Sequence, residues 1–338
     1  MSFAETCQLS DHTAPLALQS VYIGGGSMIV TVTLNPSLDR ALSVPRFEPG
    51  TLHRAQFIRQ DLGGKGINVS RALRALDIPS RIVGFTGGRV GQALRDGLAA
   101  DGFDVHFVEV EGETRQNITL LDESSGQYTK INEPGPTIGP HHIAALEAYL
   151  QQIVQPGDLW AFCGSLPPGA PPDLYARLIN NVQQGGGLGF LDSSGPAFRA
   201  GLAAGPFAIK PNSEEASEVL LSPLSDDAEH RSAASRLQTG GVRLVALTRG
   251  AQGLILSMDG KLVIATPPPV NAHSPIGAGD ASLAGLLWAV LDKCDAIETA
   301  RRAVACGTAA AMQEGTGMGD QALIKTLLPQ VQIQPSQG

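Results

Sequence analysis

The amino-acid sequence predicts an α/β fold: a doubly wound, mostly parallel sheet with a small β-sheet lid. Short β-branched strands alternate with helical segments along most of the 338 residues, which is the pattern of an open parallel sheet. Glycine accounts for 40 residues and aromatic side chains for only 5%, which favours many tight strand-to-helix turns over a β-sandwich. Two stretches, at about 40–62 and 113–133, break the alternation with short polar strands, and we expect them to form the lid.

The first strand is predicted at Met28–Leu34, where β-branched residues are frequent. It leads into Asn35-Pro-Ser-Leu-Asp39, so Asp39 is expected in a loop beyond the carboxyl end of the strand, where ligands of open α/β sheets bind. A turn or cap role is the alternative for Asp39. Residues 1–27 carry no Lys or Arg and no long apolar segment. We interpret them as a disordered tail, not a signal peptide, with Met28 as an alternative translation start.

A glycine-rich turn, Gly63-Gly-Lys-Gly66, opens the next predicted helix at about Val69–Leu76. Glycines allow a ligand to approach the backbone, and the helix start favours an anion. Lys65 adds a cation there, although a solvated surface lysine is the alternative. The turn is not a Walker A loop, and the chain contains no GxGxxG dinucleotide fingerprint.

The two lid stretches carry arginines whose role the pattern leaves open. Residues 54–61 alternate as a half-exposed strand that begins at Arg54, and residues 112–121 and 127–132 predict a hairpin that carries Arg115. Arg54, Lys65 and Arg115 form a set of cations that could bind an anion. For Arg115, as for Lys130 on the same hairpin, a solvated surface charge is the alternative.

From Pro140 onward the alternation of strands and helices resumes, and several strands end in polar loops. These loops contain Ser165 within 164–169, the run 192–195, Lys210, Asn212 and Glu215, and Gly250 and Gly253 after Thr248. Asn212 and Glu215, three residues apart at a helix start, are either a helix cap or a Mg²⁺ site that binds through water. No linker or repeat divides residues 28–328, and 329–338 is predicted to be a loose tail.

The stretch Asn271–Asp280 runs directly into an apolar helix predicted at 277–291. Gly277, Ala278 and Gly279 leave backbone N–H groups open to a ligand, and the helix dipole adds positive potential. Asp280 in the first turn is either a helix cap or a base that faces the bound anion.

Charge and composition exclude several partners. The net charge of −8 argues against nucleic acid. The apolar run at 281–291 is too short to cross a bilayer. Four cysteines without a CxxC spacing indicate a reducing, cytoplasmic setting without a zinc site.

Two acids, several cations and three glycine-rich turns at strand ends favour phosphoryl transfer, which needs positioning, charge neutralisation and one base. The same residues carry a resemblance that covers about 28–328. The chain resembles the ribokinase-like (pfkB) sugar kinases, within them the phosphofructokinase and tagatose-phosphate kinase branch. The matching blocks are 33–36 with Asp39, 63–69, 114–117, 132–136, 164–169, 192–195, 210–212 with Glu215, and 277–280.

The resemblance implies transfer of the γ-phosphoryl group of ATP, with Mg²⁺, to a hydroxyl of a ketohexose phosphate. It implies Asp280 as base and Gly277, Ala278 and Gly279 as anion hole. Sugar binding would involve Asp39, Gly64, Asn68 and Ser165, with Lys65, Arg54 and Arg115 on the existing phosphate. Thr248, Gly250, Gly253, Lys210 and Asn212 would bind the nucleotide, with Asn212 and Glu215 near the metal. A homodimer formed through the lid is also implied.

The acceptor and one cofactor stay open at this stage. Blocks 63–66 and 131–136 resemble 1-phosphofructokinases and tagatose-6-phosphate kinases, whereas 114–117 and 313–316 resemble minor 6-phosphofructokinases. Among these acceptors we favour fructose 1-phosphate. Ser274-Pro-Ile276 replaces the Ser-Thr-Val frequent in the family, which puts a threonine contact to nucleotide or a monovalent cation in doubt. Ala281-Ser282, where Ser-Met is common, should be neutral.

Two rival classes remain. The missing GxGxxG opposes a nicotinamide oxidoreductase. The intact Gly277–Asp280 opposes a binding protein that has lost turnover.

Overall fold

The computed structural model of the chain describes residues 26–238 and 240–336 and contains two sheets. The larger sheet has 10 strands in the order β14-β13-β12-β11-β10-β9-β8-β1-β4-β5. Its parallel strands are β1 (Ile29–Thr33), β4 (Ser80–Thr86), β5 (Asp104–Glu109), β8 (Leu159–Cys163), β9 (Leu188–Asp192), β10 (Ala208–Ile209) and β11 (Leu244–Thr248). β12 (Leu254–Met258), β13 (Lys261–Thr266) and β14 (Gln332–Ser336) extend it antiparallel. The predicted doubly wound, mostly parallel sheet is confirmed.

Helices cover both faces of this sheet because its strands alternate between two apolar cores. Ile29 of β1 lies in one core and Val30 in the other, and Ala161 and Phe162 of β8 divide in the same way. The helices are α1 (Lys65–Ala75), α2 (Gly88–Ala100), α3 (Pro140–Ile153), α4 (Leu174–Gln184), α5 (Gly195–Ala203), α6 (Ser213–Leu220), α7 (Asp227–Leu237), α8 (Ala278–Leu291), α9 (Ala296–Ala311) and α10 (Gln321–Leu327). Residues of α1, α8 and α9 fill the first core, and residues of α3, α4 and α7 fill the second.

The smaller sheet, called the lid sheet below, has four strands in the order β3-β2-β6-β7. They are β2 (Ser37–Val44), β3 (Gln56–Gly63), β6 (Arg115–Asp122) and β7 (Gln127–Asn132). β2 and β6 pair in parallel, and the outer pairs are antiparallel. Asp39 therefore lies inside strand β2, and its predicted loop position is wrong: only three residues separate β1 from β2, so the chain enters the lid sheet almost at once.

The two ends of the chain differ from each other. Most of the tail predicted at 1–27 lies outside the described residues, so that prediction stays untested. At the other end, the loose tail predicted for 329–338 is wrong for Gln332–Ser336, which pairs antiparallel with β13 as the edge strand β14. An open sheet edge has unpaired backbone N–H and C=O groups, and hydrogen bonds to these groups stabilise an added strand even when its sequence is polar.

Within the described residues, every helix is too short or too polar to cross a lipid bilayer.

Candidate active site

The parallel strands end at one edge of the larger sheet, and two cavities open there. The smaller pocket has a volume of about 220 Å³, and the larger cleft about 680 Å³. The smaller pocket lies under the lid sheet and is lined by Thr33, Asn35, Gly64, Lys65, Arg115, Cys163, Gly164, Ser165 and Ser194. The larger cleft lies between the β11–β12 turn and the start of α8, and Thr248, Gly250, Gly253, Ala278 and Gly279 are among its lining residues.

Arg115 brings a cation from the lid sheet to the smaller pocket. It is the first residue of β6, and its Nε donates a hydrogen bond to the carbonyl oxygen of Asn35, at 3.1 Å. Burial lowers the pKa of Arg115, although Asp39 opposes the shift, and a guanidinium stays charged at neutral pH in any case. The bond to Asn35 leaves the other nitrogens of Arg115 for an anion in the pocket.

Asp39 lies in β2, opposite the start of β6 that carries Arg115, and its carboxylate is held by two hydrogen bonds. Its Oδ1 accepts hydrogen bonds from Ser37 Oγ (2.7 Å) and Asn117 Nδ2 (2.8 Å). A β-carbon on Gly63 would lie 2.3 Å from Oδ2 of Asp39, so only glycine fits there. The Asp39 carboxylate is therefore the reason that position 63 of this turn is a glycine.

Lys65 and Lys210 share one buried carboxylate, Asp192. Lys65 Nζ lies 3.0 Å from Asp192 Oδ1, and Lys210 Nζ lies 3.0 Å from Oδ2. Burial alone would raise the pKa of Asp192, but the two ammonium groups outweigh it and leave the pKa below its ordinary value. The same attraction raises the pKa of Lys65 against the effect of burial. The cluster thus favours the ionised forms of Asp192 and Lys65, and its two lysines outnumber its one carboxylate.

The sequence prediction missed Asp192 as a site residue. It is the last residue of β9, directly after a buried strand, and is 1% exposed. Its position at a strand end was visible in the sequence, but the two lysines come from α1 and from the loop after β10. Only the folded chain brings them together.

Asp280 lies in the first turn of α8, directly after Gly279 of the larger cleft, and faces α1, the helix that begins at Lys65 of the smaller pocket. It is 7% exposed, and its Oδ2 accepts a hydrogen bond of 2.9 Å from Asn68 Nδ2 of α1. Burial raises the pKa of Asp280 to about 6, and the negative charge of Asp192 adds to the shift. A carboxylate with such a pKa is still mostly ionised at pH 7 and accepts a proton more readily than an ordinary Asp.

The start of α8 has the geometry of an anion site. Gly277, the N-cap, has a φ of 81°, and Ala278, Gly279 and Asp280 form the first turn. A β-carbon on Gly279 would lie 3.5 Å from Lys210 Nζ, so the lysine ammonium lies beside the helix start, where the Ala278 N–H donates a long hydrogen bond of 3.4 Å to the carbonyl oxygen of Pro275. The helix start and Lys210 together offer positive potential at the junction of the two cavities.

Asn212 and Glu215 form a reciprocal helix cap. Asn212 Oδ1 accepts from the backbone N–H of Glu215, and Glu215 Oε2 accepts from that of Asn212, each at 2.9 Å. This is the structural alternative left open by the sequence. Oε1 of Glu215 takes no part in the cap, and a metal role for the pair stays a prediction.

The structure places the other predicted residues at different distances from the site. Ser165 and Gly64 line the smaller pocket, and Thr248, Gly250 and Gly253 line the larger cleft. Arg54 is exposed in the loop before β3, whereas the opposite end of β3, at Gly63, borders the pocket. Within one chain, Arg54 therefore lies at the far end of the lid sheet.

Glu111, His141 and His142 cluster elsewhere with metal-ligand spacing. His142 Nδ1 accepts the N–H of Gly139 at 2.9 Å, so Nε2 must carry the proton that points to Glu111, at 2.8 Å. A ring nitrogen that carries a proton has no lone pair for a metal. This cluster caps helix α3.

Comparisons with known proteins identify the family and the fold of the chain. The model of the pfkB family of carbohydrate kinases matches residues 32–322. A 1-phosphofructokinase of Xanthomonas campestris pv. campestris is 36% identical over 279 residues, which cover 81% of this chain and 87% of that protein. Phosphofructokinase-2 from Escherichia coli in complex with potassium is 30% identical, with a TM-score of 0.86, and the match covers 90% of this chain and 99% of that one. The same enzyme in complex with fructose-6-phosphate has a TM-score of 0.84 at 30% identity, with the same coverage.

Proposed function

This chain belongs to the pfkB family of carbohydrate kinases, and we propose that it phosphorylates fructose 1-phosphate with ATP to give fructose 1,6-bisphosphate. Membership makes it a phosphotransferase with an alcohol acceptor. The curated relative named 1-phosphofructokinase supports this acceptor. Fructose 6-phosphate is the second candidate, because a similar solved structure holds it, and tagatose 6-phosphate is the third.

The observation that carries the proposal is that the buried Asp280 connects elements of both cavities: it directly follows Gly279 of the glycine-rich cleft and bonds to Asn68 of α1, the helix that begins at Lys65 of the smaller pocket. The ionised Asp280 takes the proton of the acceptor hydroxyl. At the same time the hydroxyl oxygen of the sugar attacks the γ-phosphorus of ATP, and ADP leaves. The N–H groups of Gly277, Ala278 and Gly279 and the ammonium of Lys210 stabilise the negative charge on the transferred group.

In this proposal the smaller pocket binds the sugar phosphate. Arg115 holds the existing phosphate, because its guanidinium is fixed to the Asn35 carbonyl with nitrogens to spare. Lys65 adds positive charge to the pocket, although its ammonium group also bonds to Asp192. Asp39 and Asn68 bind sugar hydroxyls, and Gly64 and Ser165 border them.

The larger cleft receives the nucleotide. Thr248, Gly250 and Gly253 form one wall, and Lys210 and Asn212 approach the phosphates from the neighbouring loop. Mg²⁺ would be held through water by Glu215, whose Oε1 the helix cap leaves available, and it would neutralise phosphate charge. A monovalent cation is a further cofactor of the proposal, supported by the potassium complex of the similar enzyme.

We also propose that two copies pair through their lid sheets. Phe57 and Ile131 expose 59% and 56% of their surface on one face of the lid sheet, and Tyr128 exposes 66% on the opposite face. Exposed apolar side chains of this size often mark an interface with a partner. Light scattering after size exclusion should give twice the chain mass, and a Tyr128→Asp, Ile131→Asp variant should give the mass of one chain. A monomeric native protein would contradict the pairing.

The deciding experiment measures ADP release from MgATP with fructose 1-phosphate, fructose 6-phosphate and tagatose 6-phosphate. A preference of about tenfold in kcat/KM, or about 1.4 kcal/mol in transition-state binding, identifies the acceptor. A preference for fructose 6-phosphate would overturn the acceptor and keep the kinase. No turnover with any of the three would overturn the proposed reaction.

A further inference from the structure

The first turn of α7, Asp226–His230, joins the loop 249–253, which lines the larger cleft, to the neighbouring loop 210–213, although neither this turn nor the second loop lines the cleft itself. This segment, called the α7 turn below, has no role in the proposed reaction. It touches the loop 249–253 through Asp227 and the loop 210–213 through His230. Both loops carry residues of the proposed nucleotide site.

Arg249 ties the first loop to the α7 turn. Its side chain is only 5% exposed, and Nη1 lies 2.6 Å from Asp227 Oδ1. Nη2 donates to the carbonyl oxygen of Gln252 at 3.3 Å, and the backbone N–H of Arg249 donates to Gly253 at 2.8 Å. The guanidinium thus spans the loop from inside and fixes it to α7. Without Asp227, a buried cation would lose its only carboxylate among the described residues.

His230 ties the second loop to the same turn. Its Nδ1 lies 2.6 Å from the carbonyl oxygen of Asp226, which can only accept, so Nδ1 carries the proton. Nε2 is then free to accept the hydroxyl of Ser213 at 3.0 Å. Ser213 directly follows Asn212, the N-cap of α6. His230 is 8% exposed, so water competes little for this bond.

The two loops also contact each other at the cleft. The backbone N–H of Thr248 donates to the carbonyl oxygen of Pro211 at 2.9 Å, and Asn212 and Thr248 form a parallel bridge. One helical turn and one bridge therefore fix the spacing between Lys210-Pro-Asn212 on one side and Thr248–Gly253 on the other. A change in this spacing would be felt by a nucleotide that touches both.

We propose that Asp227 and His230 are positioning residues for the nucleotide: the α7 turn holds the two nucleotide loops at their binding distance. The inference rests on the proposed assignment of the larger cleft to ATP. Asp227 acts only through Arg249, and His230 acts only through Ser213. Neither side chain touches the nucleotide.

The test measures ADP binding by calorimetry and the two KM values in the Asp227→Asn variant. We expect ADP Kd and the KM for ATP to rise about five- to tenfold, while the KM for the sugar phosphate changes less than about twofold. The matched control is Asp259→Asn, which breaks the exposed pair with Arg243 (3.2 Å) at the other end of β11. The control should leave all three values at those of the native protein.

Two further variants separate positioning from general stability. Asp227→Asn combined with Arg249→Met should bind ADP no more weakly than Arg249→Met alone, because Asp227 acts through Arg249. Ser213→Ala should raise the KM for ATP without changing that for the sugar phosphate. Equal increases in both KM values, or a lower melting temperature with unchanged ADP binding, would overturn the inference. Native protein that binds no ADP would instead overturn the proposed function.

Discussion

The smaller pocket and the larger cleft lie side by side but are built in different ways. Charged and polar side chains from both sheets converge on the smaller pocket, with Lys65 from α1 and Arg115 from the lid sheet. Glycines, prolines and small side chains line most of the larger cleft. Recognition in the smaller pocket therefore depends on single charged groups, and recognition in the larger cleft depends on the shape of its loops.

The two cavities meet at two buried aspartates with opposite pKa shifts. Asp192 is held ionised by Lys65 and Lys210, whereas Asp280 has a single amide partner, Asn68, and a pKa raised to about 6. Such divergence separates a carboxylate that organises charge from one that exchanges a proton. In the proposed reaction the residue that exchanges the proton, Asp280, serves both cavities.

The largest expected effect is that of Asp280→Asn. This variant cannot accept a proton, so kcat should fall about 10²- to 10⁴-fold. Both KM values should stay within about threefold, because Asp280 belongs to neither binding surface alone. Steady-state kinetics in both substrates measure this.

Asp192→Asn serves as the contrasting variant. It leaves the buried ammonium of Lys210 and the partly exposed ammonium of Lys65 without their carboxylate. Both KM values should therefore rise and the free energy of unfolding should fall. Turnover by Asp280→Asn at the native rate would show that another group, or solvent, takes the proton.

The next effect tests the smaller pocket alone. Arg115→Ala should raise the KM for the sugar phosphate about 10- to 100-fold, the loss expected for one charge-assisted phosphate contact. The KM for ATP should change less than about twofold. Arg46→Ala is the matched control, because Arg46 is an exposed lid arginine paired with Glu48. Equal increases in both KM values would remove the distinction between the two cavities.

The sequence predicted the fold class and the strand ends because both depend on local periodicity and turn chemistry. It located Asp280, Lys65 and the glycine turns correctly as residues at strand and helix ends. It missed helix α7, whose exposed face is almost entirely polar, and strand β13, which follows β12 after a two-residue turn. Both elements nevertheless carried local signals that the prediction did not use: Asp259-Gly260 is a hairpin turn before the apolar run of β13, and Asp226 caps the start of α7.

The site required information that local patterns do not contain. Asp192 becomes the centre of a cluster only when α1 and the loop after β10 reach it, with Lys65 127 positions away. Asp280 is likewise bonded to Asn68, 212 positions away. Arg54 shows the opposite case: its charge suggested a phosphate contact, but within one chain it lies exposed in the loop before β3, at the strand end opposite Gly63, so its phosphate role stays a prediction.

A smaller effect concerns pH. Because Asp280 must be ionised and its pKa is about 6, kcat/KM should fall about tenfold per unit as the pH drops below about 6. The phosphates of the substrates titrate in the same range, so the shift between variants is the decisive quantity. The hydrogen bond from Asn68 lowers the pKa of Asp280, so Asn68→Ala should move the acid limb upward by about half to one unit. If the acid limb of the profile does not move, it reports the titration of the substrate phosphates and not that of Asp280.

The smallest effect is on stability and has the opposite sign from the effect on activity. The pKa of Asp280 is higher in the folded chain, at about 6, than its ordinary value of 3.8, so the folded state binds the proton more tightly. The free energy of unfolding then decreases as the pH rises from about 4 to about 6, by about 1–3 kcal/mol. Asp280→Asn removes the buried charge.

At pH 7 the Asp280→Asn variant should therefore melt about 2–4 °C above the native protein, and at pH 4 the two melting temperatures should coincide. Thermal denaturation at both pH values measures this. Asp259→Asn, an exposed carboxylate, should show no such pH-dependent gain. A gain of equal size at both pH values would mean that packing, not the buried charge, limits stability at the junction. In that case the melting temperature of the inactive Asp280→Asn variant would not identify the Asp280 carboxylate as the destabilising group.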